Sequence, residues 1–144
     1  KVRLGTYGDP MAVPAVVWMY LVEQASDHTG YTHQWNNETI KNDNYEHYQI
    51  IRELCMASVD SDDERAQAGF ERWRTFRVKP EGDDWVNKGE FLCPASAEAG
   101  KKKQCADCMA CDGVGVDEVR FKRPDVVITV HGSLKSRFAQ QVNV

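Results

Sequence analysis

The stretch Asp125-Val126-Val127-Ile128-Thr129-Val130 reads DVVITV. Successive side chains of a strand point to opposite faces, so a β-branched run with no polar alternation belongs to a strand covered on both sides. A strand covered on both sides sits inside a layered α/β sheet, and the rest of the chain is read outward from that expectation. Toward the N-terminus, Trp73 to Val78 (WRTFRV), Cys55 to Val59 (CMASV), Gly30 to Trp35 (GYTHQW) and a first stretch around Val2, Leu4 and Tyr7 read as further strands, rich in β-branched and aromatic residues.

Helical patterns alternate with these strands. Ser61 stands three residues before Glu64, a helix-start signature, and the helix is expected to run to about Arg72 with Ala66, Ala68 and Phe70 as its packing residues. Tyr45 to Leu54 (YEHYQIIREL) places Tyr45, Tyr48 and Ile51 on one helical face. Val13 to Gln24 carries Val13, Val16, Val17, Tyr20, Leu21 and Gln24 near helical spacing, with Pro14 suited to a first turn. Gly8-Asp9-Pro10, 36–44 and 80–89 read as loops, Phe91 and Leu92 as a lead into a cysteine-rich segment, and Ser133 to Gln141 as a last short helix. Strands alternating with helices imply parallel strands joined by crossover helices. The expectation is a single α/β domain over 1–144 with a mostly parallel sheet, open or forming a partial (β/α) barrel, and a cysteine-rich loop over 91–113.

Composition agrees with one folded domain. The 144 residues are 42% hydrophobic and 28% charged, a mixture that sustains a core. The longest apolar run, Ala12 to Val22, falls short of the roughly 18 residues a membrane span requires. A net charge of -4 argues against a dedicated nucleic-acid binder, although Lys101, Lys102 and Lys103 form a local basic stretch that suits a solvated loop, a thiolate cluster or a phosphate backbone. The chain opens at Lys1 in a strand-like pattern, and we expect a missing N-terminal segment. A reducing cytoplasm is the expected compartment.

Ligands of parallel α/β folds gather at the carboxyl ends of strands. Those ends carry Asp9, His33 with Trp35, Ser58 with Asp60, Arg77, Cys93 and His131. Asp9, His33, Asp60, Arg77 and His131 therefore form a candidate small-ligand or catalytic set. The competing reading is that Asp and Ser simply shape turns and that Arg77, like Arg74, is a salt-bridging edge residue of a short strand rather than an anion binder. His28 and His47 read as surface residues, and Cys55 as a small buried hydrophobe.

The sharpest local signal is C-x11-C-x2-C-x2-C, formed by Cys93, Cys105, Cys108 and Cys111. A C-x2-C-x2-C run curls three thiolates onto one concave face, and a fourth from a neighbouring loop completes either a 4Fe-4S cluster or tetrahedral zinc. Cys93 is followed by Pro94, as in the cysteine-proline end of bacterial cluster motifs. The run of three favours iron–sulfur over zinc, whose sites more often use separated pairs. Disulfides are the third reading and suit a secreted chain better. Three functions follow: an iron–sulfur protein with a redox or structural role, a zinc-stabilised module contacting nucleic acid or a protein, and a small-substrate enzyme at the strand ends.

The stretches VRLGTYGDP (2–10), TGYTHQW (29–35), CMASVDS (55–61), WRTFRV (73–78), LCPASAEAGKKKQCADCMACDG (92–113) and DVVITVHG (125–132) together resemble an uncharacterised family of cysteine-cluster proteins found in tailed phages, plasmids and bacteria. The resemblance runs from about Val2 to Arg137. It implies a phage-type protein in a host cytoplasm, with a redox partner or a host or phage protein as its contact. Family members generally carry a further cysteine-bearing segment ahead of the GDP motif, which these residues lack. The family layout also looks like part of the radical SAM type of barrel. The C-x3-C-x2-C loop of that chemistry is absent from these residues, so radical SAM catalysis is not expected.

Overall fold

The computed structural model describes residues 1–100, 102–115, 123–130, 136 and 138. His131, Lys101 and most of the expected last helix over 133–141 lie outside them. Among the described residues, six strands form one sheet in which every pairing is parallel: β1 (Val2–Leu4), β2 (His28–Thr32), β3 (Met56–Val59), β4 (Thr75–Lys79), β5 (Glu90–Leu92) and β6 (Asp125–Thr129). Their order is β1-β2-β3-β4-β6-β5, with β1 and β5 as edges. The sheet is open, and the DVVITV strand lies inside it between β4 and β5.

Four helices supply crossovers: α1 (Ala15–Glu23), α2 (Glu38–Asp43), α3 (Tyr45–Leu54) and α4 (Asp62–Phe70). Ser61 caps α4 by accepting from the Glu64 N–H at 3.1 Å, and three acids in the first turn oppose the helix dipole favourably. The segment expected as a loop over 36–44 contains α2. The Asn37 side chain caps it through the Ile40 N–H, which gives a polar sequence a helix start. Phe91 and Leu92 belong to β5, too short a strand to show any periodicity. The second strand begins at His28 and ends at Thr32, earlier than read, because Asp9 accepts the His33 N–H at 2.7 Å and turns the chain out of the sheet.

One face of the sheet packs on the helices through Leu4, Ala57 and Val59 against Trp35, Tyr48, Ile51, Ala68 and Trp73. The polar atoms of its large rings are paired. The Tyr48 hydroxyl donates to the Glu71 carboxylate at 2.6 Å and accepts from the Trp73 indole N–H at 2.7 Å. Trp35 Nε1 donates to the Ser58 carbonyl at 3.0 Å. Cys55 is buried in this core, as expected of a small hydrophobe. His28 and His47 are fold residues rather than surface ones. His28 is buried with Nε2 3.0 Å from the Leu54 carbonyl. His47 Nδ1 accepts the Ala15 N–H at 3.2 Å, capping a helix that has no side-chain cap of its own.

Two packing expectations are corrected. In α1, Val16, Val17, Tyr20 and Leu21 are exposed, and Ala15, Trp18 and Val22 face the core instead. The Trp18 indole N–H donates to the Pro10 carbonyl at 2.8 Å, which fixes the rotation of the helix. In α4 only Ala68 is buried, and Phe70 is fully solvent-facing.

Candidate functional site

The opposite face of the sheet is covered by the cysteine segment. There Met56, Val126 and Ile128 pack with Cys93 and Cys111. The Cys93 N–H donates to the Val127 carbonyl at 2.8 Å, extending the β5–β6 ladder by one residue. The Cys93 carbonyl accepts from the N–H of Ser96 at 2.9 Å and from its hydroxyl at 2.8 Å, so the chain folds back over the sheet. Residues Cys105–Cys108 form a single helical turn, α5, closed by reciprocal bonds between Gln104 and Asp107. That turn puts Cys105 and Cys108 on one side. Met109 then adopts a left-handed conformation, φ 50°, and its N–H bonds to the Cys105 carbonyl at 2.9 Å. The reversal brings Cys111 back, and the Gly30 N–H holds the Cys111 carbonyl at 2.9 Å.

Cys93, Cys105, Cys108 and Cys111 thereby line one pocket, whose remaining wall includes Phe91, Met109 and Val126. Its free volume is about 10 Å³, room for about one water-sized body, so the thiols stand close around a small space. All five cysteines are free thiols, so no disulfide pairs them. Among the described residues, no three His, Cys, Asp or Glu side chains stand within reach of one metal ion. Burial pushes the Cys111 thiol up to about 12; a hydrogen bond from Tyr31 opposes this, and the nearby Cys93, Cys105 and Cys108 add to it. Burial also raises Cys93, against hydrogen bonds from the backbone N–H groups of Ala95 and Ser96. Thiolates this close repel one another, and a cationic centre among them would reverse that balance and release protons.

Arg74 is the residue that the spacing of cysteines does not reveal. Its buried guanidinium donates to the Asp112 carbonyl at 2.7 Å and carboxylate at 2.8 Å, the Ala110 carbonyl at 3.0 Å and the Pro124 carbonyl at 2.9 Å. It therefore grips the chain on both sides of Cys111. Arg123 holds the other Asp112 oxygen at 2.7 Å. Beyond them, Gly113 lies against the carbonyls of Arg52 and Glu53, where a side chain would collide. A short WRTFRV strand gives no sign of this role; only the placement of Arg74 under the loop does.

The candidate strand-end residues divide. Asp9 accepts from the Met11 N–H at 2.9 Å, the Thr32 hydroxyl at 2.6 Å and the His33 N–H at 2.7 Å, joining the first loop to the end of β2. His33 is exposed, with Nδ1 3.9 Å from the Asp9 carboxylate. Burial and Glu64 push the Asp60 carboxyl up, while His33 pulls it down, so these three residues share one rim. Arg77 belongs elsewhere. It lies on the helix side of the sheet in a bidentate pair with Glu90, both bonds 2.9 Å, with Asp62 at 3.5 Å. That is a salt-bridging role, as weighed from sequence, but on an inner strand rather than an edge. Lys102 and Lys103 are exposed.

Fold and site together define a class, an open all-parallel α/β domain carrying a four-cysteine pocket on the face opposite its helices. No protein-family model, curated protein or solved structure matches the chain. No helix among the described residues is long and apolar enough to cross a membrane.

Proposed function

We propose that this chain is a phage-type iron–sulfur protein that holds a 4Fe-4S cluster through Cys93, Cys105, Cys108 and Cys111, in a redox or structural role. The observation that carries the reading is the convergence of four free thiols on one pocket, three from a C-x2-C-x2-C run and one from the end of an edge strand. A single zinc ion draws its sulfurs to about 2.3 Å from one point. A cubane spreads four sulfurs around a body, one to each iron. The C-x2-C-x2-C run favours the second arrangement, since zinc sites more often use separated pairs. When bound, the cluster supplies one-electron chemistry. Phe91, Met109 and Val126 would shield it from water, and the exposed Cys105 would form the edge nearest a redox partner. With all four sulfurs committed to iron, no open iron would remain for a substrate. A reducing cytoplasm suits such a site.

Anaerobically purified protein is expected to be coloured, with about four irons and about four sulfides per chain. Cys108→Ser should remove the colour, and Cys55→Ser, in the other core, should not. Colourless protein with one zinc per chain supports the zinc-stabilised binding module instead. Colourless protein with neither metal overturns both readings.

A further inference from the structure

Beside the cysteine pocket, a second cavity of about 440 Å³ opens on the same face of the sheet. Small-molecule sites span roughly 300–1,000 Å³, with apolar walls and a few convergent polar groups. Tyr31, Phe76, Val78 and Ile128 make its apolar wall, contributed by β2, β4 and β6. Ser58 of β3 stands opposite Phe76 in the register, and this small residue leaves room for the Tyr31 and Phe76 rings to meet above it. Their centroids are 4.5 Å apart and their planes are tilted by 43°. The result is a continuous aromatic floor spanning three strands.

Charge is concentrated at one end of that floor. The Arg3 guanidinium lies 5.4 Å from the centre of the Tyr31 ring and lines the cavity together with His33. Among the described residues, no carboxylate is in ion-pair contact with Arg3. Asp9 and Asp60 stand near His33 but do not line the cavity, and Asp9 is engaged by three hydrogen bonds. A cation beside a flat aromatic wall, with the small polar Ser58 between the strands, selects an anionic group attached to a planar ring.

We propose that this cavity binds a small anion carrying a planar ring, its carboxylate or phosphate at Arg3 and His33 and its ring on Tyr31 and Phe76. Cys93 and Cys105 line this cavity as well as the thiol pocket, so the two sites adjoin.

Isothermal titration calorimetry on the protein as purified, with AMP and benzoate as probes, tests it. Saturable binding of at least one probe at a Kd of about 1 mM or tighter is expected. Arg3→Gln should weaken it by about tenfold or more, the loss of one charge-assisted contact. Phe76→Ala should weaken it as well. Arg3 is exposed, so its variant keeps the test decisive if Phe76→Ala does not fold. Binding of AMP alone supports a nucleotide-type ligand, and binding of benzoate alone an aryl carboxylate. Three outcomes overturn the proposal: no saturable binding of either probe, binding unchanged in Arg3→Gln, or inorganic phosphate binding as tightly as AMP.

Discussion

The two faces of this sheet are built from different materials. The helix face closes on Trp35, Tyr48 and Trp73, large rings whose polar atoms are paired with one another, with backbone or with Glu71. The other face closes on a loop with a single helical turn, held by Arg74 and by the Gly30–Cys111 backbone bond. Buried apolar area stabilises the first face. Directional polar contacts position the second. Apolar burial and polar positioning are thus separated across one layer of strands, and substitutions on the two faces should fail in different ways.

Trp35→Ala should have the largest effect on folding, a loss of about 3–5 kcal/mol in urea unfolding. If the proposed thiol site binds iron or zinc, the protein that remains folded should keep it. An equal loss from Cys93→Ala in metal-free protein would break the comparison. Arg74→Met comes next. It removes one partner of the buried Asp112 carboxylate, which keeps Arg123, and should cost about 1–3 kcal/mol. Unlike Trp35→Ala, it should also lower the metal retained by chains that stay folded, measured after gel filtration against a chelator.

Glu90 gives a pH test on the helix face. Burial alone would raise its carboxyl, but hydrogen bonds from Arg77 and the Asn87 N–H, with the charges of Arg77 and Arg65, outweigh burial and hold it below the usual 4.5. A depressed carboxylate contributes stability above its unfolded value and loses it as pH falls through the folded value. The urea midpoint should therefore drop between about pH 5 and about pH 3, and Glu90→Gln should flatten that drop while costing about 1–3 kcal/mol at neutral pH. A wild-type slope retained in the variant would assign the acid sensitivity to other carboxylates. The smallest effect belongs to Phe70→Ser. Phe70 touches neither core, so the change should stay within about 0.5 kcal/mol.

The parallel sheet was legible because DVVITV needs cover on both faces, and α4 was legible because Ser61 announces it. What escaped was local competition. An Asn37 cap made a helix of a polar segment, and three residues were enough for β5 once β6 offered a partner. In α1, apolar residues occur all round, so periodicity could not choose the buried side; the Trp18–Pro10 bond chose it. At the site, spacing identified the four cysteines, since helical and turn geometry between them is local. Arg74 and the Tyr31–Phe76 floor depend on residues far apart in sequence. The alternation in TFRVK held the one available hint, placing Phe76 and Val78 on one side and Thr75, Arg77 and Lys79 on the other.

That alternation has a consequence for how the molecule can change. On β4, neighbouring positions answer to different demands, because Phe76 and Val78 meet the cavity while Arg77 is committed to Glu90 behind the sheet. Ligand preference could drift at the first pair without disturbing the scaffold, much as a lock can be rekeyed while its housing stays in the door.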